Sequence, residues 1–163
     1  MTDVDWSSVA IEAIEHFKAL LKIETVNPPG NERPAAEYLA RLFEHEGIAY
    51  ELIDSAPMRT SIVARLKGSG AKGPLLLNGH LDVVPVDRAH WTHDPFAAVE
   101  ADGCIWGRGA IDMKNMVAMS AMTLVVLKRA QSKGLTLDRD VIFAGVADEE
   151  AGSRYGAIHL VEK

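Results

Sequence analysis

The sequence predicts an α/β layered fold, and three observations carry that prediction. Apolar residues recur at helical spacing in two early segments and again past the middle of the chain. Short apolar runs of strand type lie between and after these segments. The two kinds of element alternate, as they do where helices are layered on a sheet.

The first element runs from about Trp6 to Ile23, where Val9, Ile14, Phe17 and Leu21 fall close to helical spacing with Glu12, Glu15 and Lys18 between them. The stretch from Thr25 to Asn31 then breaks the helix, because Pro28 and Pro29 lack backbone donors and Gly30 permits a turn. A second helix is expected from Pro34 to Glu46, with Tyr38, Leu39, Leu42 and Phe43 as its core face and Gly47 as its stop. Ile48 to Ile53 and Ser61 to Leu66 read as strands. Gly68 to Gly73 reads as a hairpin-like turn leading into Leu75 to Leu77, a buried central strand. After a long polar loop, a glycine-rich segment leads into a helix from Asn115 to Lys133 whose methionine face is assigned to the core. Val141 to Ala147 is a second strand of buried type, followed by acids and an incipient helix from about Arg154. The last residues, Tyr155 to Lys163, carry neither cap nor closing glycine, so the chain is expected to be the truncated front of a longer one.

Composition bounds the function. The 163 residues suffice for one domain with a substantial core. With 48% hydrophobic and 25% charged residues, neither disorder nor a fibrous fold has support. A net charge of −6 without a basic patch excludes a general nucleic-acid binder. Asp3 and Asp5 stand where a signal peptide would carry positive charge, and no apolar run reaches the ~20 residues of a membrane span, so a cytoplasmic location is expected. Cys104 is the single cysteine, which rules out an internal disulfide, and it is read as a buried structural thiol.

The chemistry gathers at strand ends. Leu75 to Leu77 runs into Asn78-Gly-His-Leu-Asp82, and Val141 to Ala147 runs into Asp148-Glu-Glu150. Ligands bind beyond the carboxyl ends of strands in open α/β sheets, so the two clusters should meet. Between them, Gly107 and Gly109 allow tight turning and deliver Asp112 just ahead of the methionine-rich helix. One imidazole with several carboxylates suits a catalytic zinc, manganese or cobalt ion. His80 and Asp82 sit at i and i+2 of an extended segment, hence on one face, so Asp82 can orient the imidazole. Glu149 and Glu150 diverge as neighbours, which leaves one to bind metal and the other to act as general base. No Gly-x-Ser-x-Gly elbow competes with a metal-activated water.

Four segments in order, Asn78 to Pro85, Trp91 to Phe96, Asp102 to Asn115 and Asp148 to Gly156, resemble the co-catalytic metallopeptidases. That family includes aminoacylase, glutamate carboxypeptidase, acetylornithine deacetylase, succinyl-diaminopimelate desuccinylase and dipeptidases. The resemblance implies a three-layer sandwich with a mixed, mostly parallel central sheet flanked by helices. It implies two divalent ions, zinc above cobalt or manganese, with His80 on one, Glu150 on the other and Asp112 bridging. Glu149 would be the general base, Asp82 would orient His80, and a cis peptide would follow Asp112. The substrate would be a small peptide or an N-acylated amino acid, cleaved at its amide bond.

Two metals with about three protein ligands each, one of them shared, need five ligands. The segments above supply His80, Asp112 and Glu150. The resembling proteins supply an Asp shortly downstream and a His much nearer the end of a chain over twice this length, with a lid and dimerisation domain between. Residues 1–163 are therefore expected to be the N-terminal portion of a catalytic domain whose full-length parent is a homodimer. A catalytically incomplete fragment or a metal-dependent binding module is the alternative. His90 and His93 read as solvent-exposed loop residues, and His159 as structural. Trp91, Phe96 and Trp106 are assigned to packing, Arg108 either to a substrate carboxylate or to a salt bridge, and Asp148 to local hydrogen bonding.

Overall fold

The computed structural model describes residues 4–163, so Asp3 lies outside the described residues. Helix α1 spans Trp6–Leu21 and starts where the Asp5 carboxylate accepts the backbone N–H groups of Ser7 and Ser8 at 3.1 and 3.2 Å. Helix α2 spans Arg33–His45, with Pro34 in its first turn. Strands β1 (Ala49–Ala56) and β2 (Arg59–Leu66) are joined through Pro57 and Met58 and pair antiparallel. β3 (Leu75–His80), a small hairpin of β4 (Val99–Ala101) and β5 (Cys104–Trp106), helix α3 (Lys114–Gln131), β6 (Val141–Val146) and helix α4 (Ala157–Glu162) follow.

The main sheet has the order β1-β2-β6-β3. It is mixed and helix-flanked, as expected, but the balance of directions is the reverse of that read from the sequence. Among the described strands of this sheet, only β3 and β6 pair parallel, through the α3 crossover; β1–β2 and β2–β6 are antiparallel. The Gly68 to Gly73 stretch is therefore no hairpin. It runs beside the approach to β6, where Ser69 and Lys72 N–H groups donate to Leu137 and Asp138 carbonyls at 2.8 and 2.9 Å. A Cβ on Gly68 would lie 2.2 Å from the Arg139 carbonyl oxygen, a closeness only glycine permits. β6 thus enters between β2 and β3, and β3 becomes an edge. Leu75 and Leu76 are 44% and 57% exposed, not buried in a central strand.

One core unites the sheet with α1, α2 and α3. Ile62, Ala64 and Leu66 of β2 and Val141 and Phe143 of β6 meet Leu39 and Phe43 of α2 and Val117, Ala121 and Leu124 of α3. Phe43 and Phe143 pack edge to face with ring centroids 5.4 Å apart, both fully buried. The methionine face of α3 is split, since Met122 is buried while Met116 and Met119 are exposed. Arg129 ties three helices together, donating to both Glu12 oxygens at 2.8 Å and to Glu46 at 2.6 and 3.0 Å. Cys104, read as buried, is exposed, because the Asp102-Gly103 turn places it on a surface hairpin. Among the described residues, no helix is long and apolar enough to cross a membrane.

Candidate metal centre

Because β3 and β6 are parallel and in register, His80 pairs with Val146 and both strands end at the same level. His80 thus stands beside the turn that carries Glu149 and Glu150. Asp112 arrives from the other side, immediately before α3. Gly109 makes that approach possible, since a Cβ there would meet Val83 Cγ1 at 2.6 Å and its φ is +81°. The peptide between Asp112 and Met113 is cis, as the resemblance implied.

His80, Asp112 and Glu150 each offer a donor atom, and these atoms lie within 4.8 Å of one another. The His80 ring has a defined orientation. Its Nδ1 sits 3.0 Å from the Asp82 carbonyl oxygen and 3.4 Å from Asp82 Oδ1, both acceptors, so Nδ1 carries hydrogen. Nε2 then faces Asp112 Oδ1 at 2.9 Å and Glu149 Oε2 at 3.8 Å. Burial disfavours the charged imidazole, but the Asp82 and Asp112 carboxylates outweigh it and raise His80 to about 9. Burial likewise acts on Glu150 and pushes its carboxyl up.

Asp82 does more than face the imidazole. It is fully buried, and its Oδ1 and Oδ2 accept the backbone N–H groups of Glu149 and Glu150, each at 3.1 Å. Burial works against its ionised form, yet the bonds from His80, Asn27 and these two amides keep it below the usual carboxylate range.

His90 and His93 take no part in the donor group. His90 is exposed beside Asp87, and His93 packs edge-on to Trp106 at 5.2 Å. His159 also stands apart, in α4. Of the aromatics, Phe96 is buried, whereas Trp91 and Trp106 border a groove that also includes Arg108 and Asp112. The Arg108 guanidinium lies 5.2 Å from the Trp91 ring centre and has no ion pair among the described residues.

Sequence reasoning missed three residues near the site. Asn27, Glu32 and Arg59 are buried and hydrogen-bonded into a network with Asp82 and Asp148. The Asn-Pro-Pro-Gly break marks only Asn27 among them, and as a sequence signal it points to a helix stop. Lys114 opens α3. It is buried, its Nζ donates to the Leu20 and Ile23 carbonyls at 3.0 and 2.6 Å, and burial pushes it down to about 7. It therefore caps the end of α1 and fastens that end to the start of α3.

Fold and donor set together define an α/β protein with an imidazole-and-carboxylate group, able to hold a divalent cation, at the carboxyl ends of a parallel strand pair. Residues 76–163, more than half of the chain, match Peptidase family M20/M25/M40, and the chain belongs to that family. It is 34% identical to aminoacylase-1 from Sus scrofa over 149 residues, covering 90% of this chain and 36% of that protein. It is 36% identical to succinyl-diaminopimelate desuccinylase from Methylobacterium radiotolerans over 156 residues, covering 92% of this chain and 38% of that protein. Among solved structures, human carnosine dipeptidase 1 superposes with a TM-score of 0.74 at 26% identity, over 96% of this chain and 36% of that one. An M20 family metallo-carboxypeptidase from Sulfolobus solfataricus gives 0.71 at 26% identity, over 87% of this chain and 32% of that one. The chain spans little more than a third of the length of the curated relatives it matches.

Proposed function

We propose that this chain forms the metal-holding part of a hydrolase that cleaves the amide bond of a small peptide or an N-acylated amino acid. The observation that carries the reading is the convergence of His80, Asp112 and Glu150 donor atoms within 4.8 Å, at the end of the parallel strand pair. The donor chemistry fits a divalent ion, zinc with cobalt or manganese as alternatives: one neutral imidazole nitrogen and two carboxylates. When bound, such an ion supplies Lewis acidity for the scissile carbonyl and lowers the pKa of the attacking water.

The chain's own residues do the rest in this reading. Asp82, through its carbonyl and carboxylate, keeps hydrogen on His80 Nδ1 and presents Nε2 to the donor group. Glu149, with Oε2 3.8 Å from His80 Nε2 and its side chain half exposed, is placed to take a proton from water and return it to the leaving nitrogen. Asp112 shares a groove with Trp91, Trp106 and Arg108, and the Arg108 guanidinium, without an ion pair among the described residues, suits a substrate carboxylate. A second ion needs ligands beyond these three, which we assign to chain outside residues 1–163, together with a dimerising lid.

That ligand count also favours a second reading, a chain that binds metal without turning over substrate. Equilibrium dialysis against zinc, with release of free amino acid from dipeptides and N-acyl amino acids, separates the two. Metal bound with turnover supports the hydrolase, metal bound without turnover supports the second reading, and no metal bound refutes both. Where turnover is found, Glu149→Gln should cut it by ~100-fold or more with zinc content unchanged. An unaltered rate removes Glu149 as the base.

A further inference from the structure

We infer that Asn27, Arg59 and Asp148 are positioning residues that lock the turn bearing Glu149 and Glu150 onto Asp82. The inference rests on the proposed roles of those two glutamates. Asp148 leaves β6 with φ +63°, in the left-handed region that residues other than glycine seldom adopt. This reversal of direction lets the next two backbone N–H groups, those of Glu149 and Glu150, fall on the two oxygens of one carboxylate, Asp82, at 3.1 Å each.

What holds Asp148 is visible atom by atom. Its Oδ1 accepts from Asn27 Nδ2 at 3.0 Å and Arg59 Nη2 at 2.7 Å, and its Oδ2 from the Tyr155 N–H at 3.0 Å. Its own N–H donates to Glu32 Oε1 at 3.2 Å. Asn27 Nδ2 also donates to Asp82 Oδ2 at 2.7 Å, so one amide group joins the carboxylate that shapes the turn to the carboxylate that receives it. Only a double donor can stand there, since an acceptor would face two anions. Arg59 anchors the assembly with a fork on Glu32 at 2.8 and 2.9 Å and a bond to the Pro29 carbonyl at 2.9 Å. Gly30 leaves room for that guanidinium, because a Cβ there would lie 2.2 Å from Arg59 Cζ. All five residues are buried, at most 7% exposed, so solvent cannot replace a lost partner.

The network therefore acts on the site through backbone placement and not by touching substrate. The test compares the 163-residue chain with Asn27→Ala and Arg59→Lys, reading amide hydrogen exchange and zinc affinity by chelator competition. In the unaltered chain the Glu149 and Glu150 amides should exchange slowly; fast exchange there overturns the inference whatever the variants do. In each variant that folds, those two amides should exchange about tenfold faster or more while Phe43 and Leu124 amides keep their protection. Zinc affinity should fall about tenfold or more, the usual effect of removing a supporting partner. A uniform rise in exchange across the chain, with zinc affinity unchanged, would reduce the network to general stability and sink the proposal. If the unaltered chain binds no zinc, the metal reading fails alone, and the exchange data still decide this inference.

Discussion

His80 gives the sharpest quantitative test. In the metal-free chain its imidazole titrates at about 9, because the Asp82 and Asp112 carboxylates overcome the burial that disfavours its charge. A metal at Nε2 must displace that proton. Affinity should therefore rise about tenfold per pH unit as pH increases, roughly 100-fold between pH 6 and 8, and level off near 9. An unperturbed histidine would level off near ~6.5. The assay is zinc or cobalt affinity by competition with a chelator of known pH dependence, alongside NMR titration of the His80 ring without metal. A metal affinity that is flat between pH 7 and 9, or a ring midpoint below about 7, would refute the assignment of both carboxylates as partners of His80. The same shift has a stability consequence with a definite sign. The folded value lies above the unfolded one, so the contribution, about 3 kcal/mol, is fully present below ~6.5 and is lost as pH rises through 9.

Two further predictions concern stability. Lys114 titrates in the opposite sense: burial lowers it to about 7, so the unfolded chain binds its proton more tightly and stability rises from pH 7 toward ~10.5, by up to ~5 kcal/mol. Between pH 7 and 9 the His80 and Lys114 effects oppose each other in the metal-free chain. In Lys114→Met, urea unfolding should show stability falling across that range, and a profile parallel to that of the unaltered chain would contradict the lysine's burial as its cause. Arg129→Ala should cost about 2 kcal/mol near neutral pH, since it strands Glu46 and Glu12 between three helices. Hydrogen bonds from Arg129 depress both glutamates, so this contribution is present above their ordinary value and lost as pH falls through the depressed one. The deficit, read by thermal melts, should shrink below pH 4.

The convergence of the candidate site residues was more legible in the sequence than the sheet that carries them. His80 and Asp82 share a face because strand residues alternate, and Glu149 and Glu150 follow an apolar run; both are local patterns. Strand order is not local. Nothing in Gly68 to Gly73 shows that residues 137–140 run beside it, so β3 was read as central when β6 had taken that place. The Asp102-Gly103 pair, with both φ values positive, was a hairpin signal that could have been read and would have put Cys104 at the surface. The Asn27 and Arg59 network was beyond reach, since its hydrogen bonds join residues up to 121 positions apart and none of its members forms a motif with another.

The partners of the carboxylates separate scaffold from chemistry more clearly than any motif does. Asp82, Asp148 and Glu32 are buried, and each accepts several hydrogen bonds from Asn27, Arg59 or backbone amides. Among the described residues, Asp112 and Glu149 form ion pairs only with His80, and Glu150 forms none. A fold that spends an amide, a guanidinium and a strained turn on fixing three acids, and then sets three more beside them with one imidazole to share, leaves negative charge concentrated at the strand ends. Once His80 gives up its proton, no cationic group of the described residues forms an ion pair with Asp112, Glu149 or Glu150. A divalent cation bound among His80, Asp112 and Glu150 would offset that charge, which is why zinc should stabilise the chain against unfolding as well as bind to it, raising the melting temperature in proportion to the logarithm of free zinc above its dissociation constant. Melting that does not respond to zinc would mean that the unpaired acids serve something other than a metal.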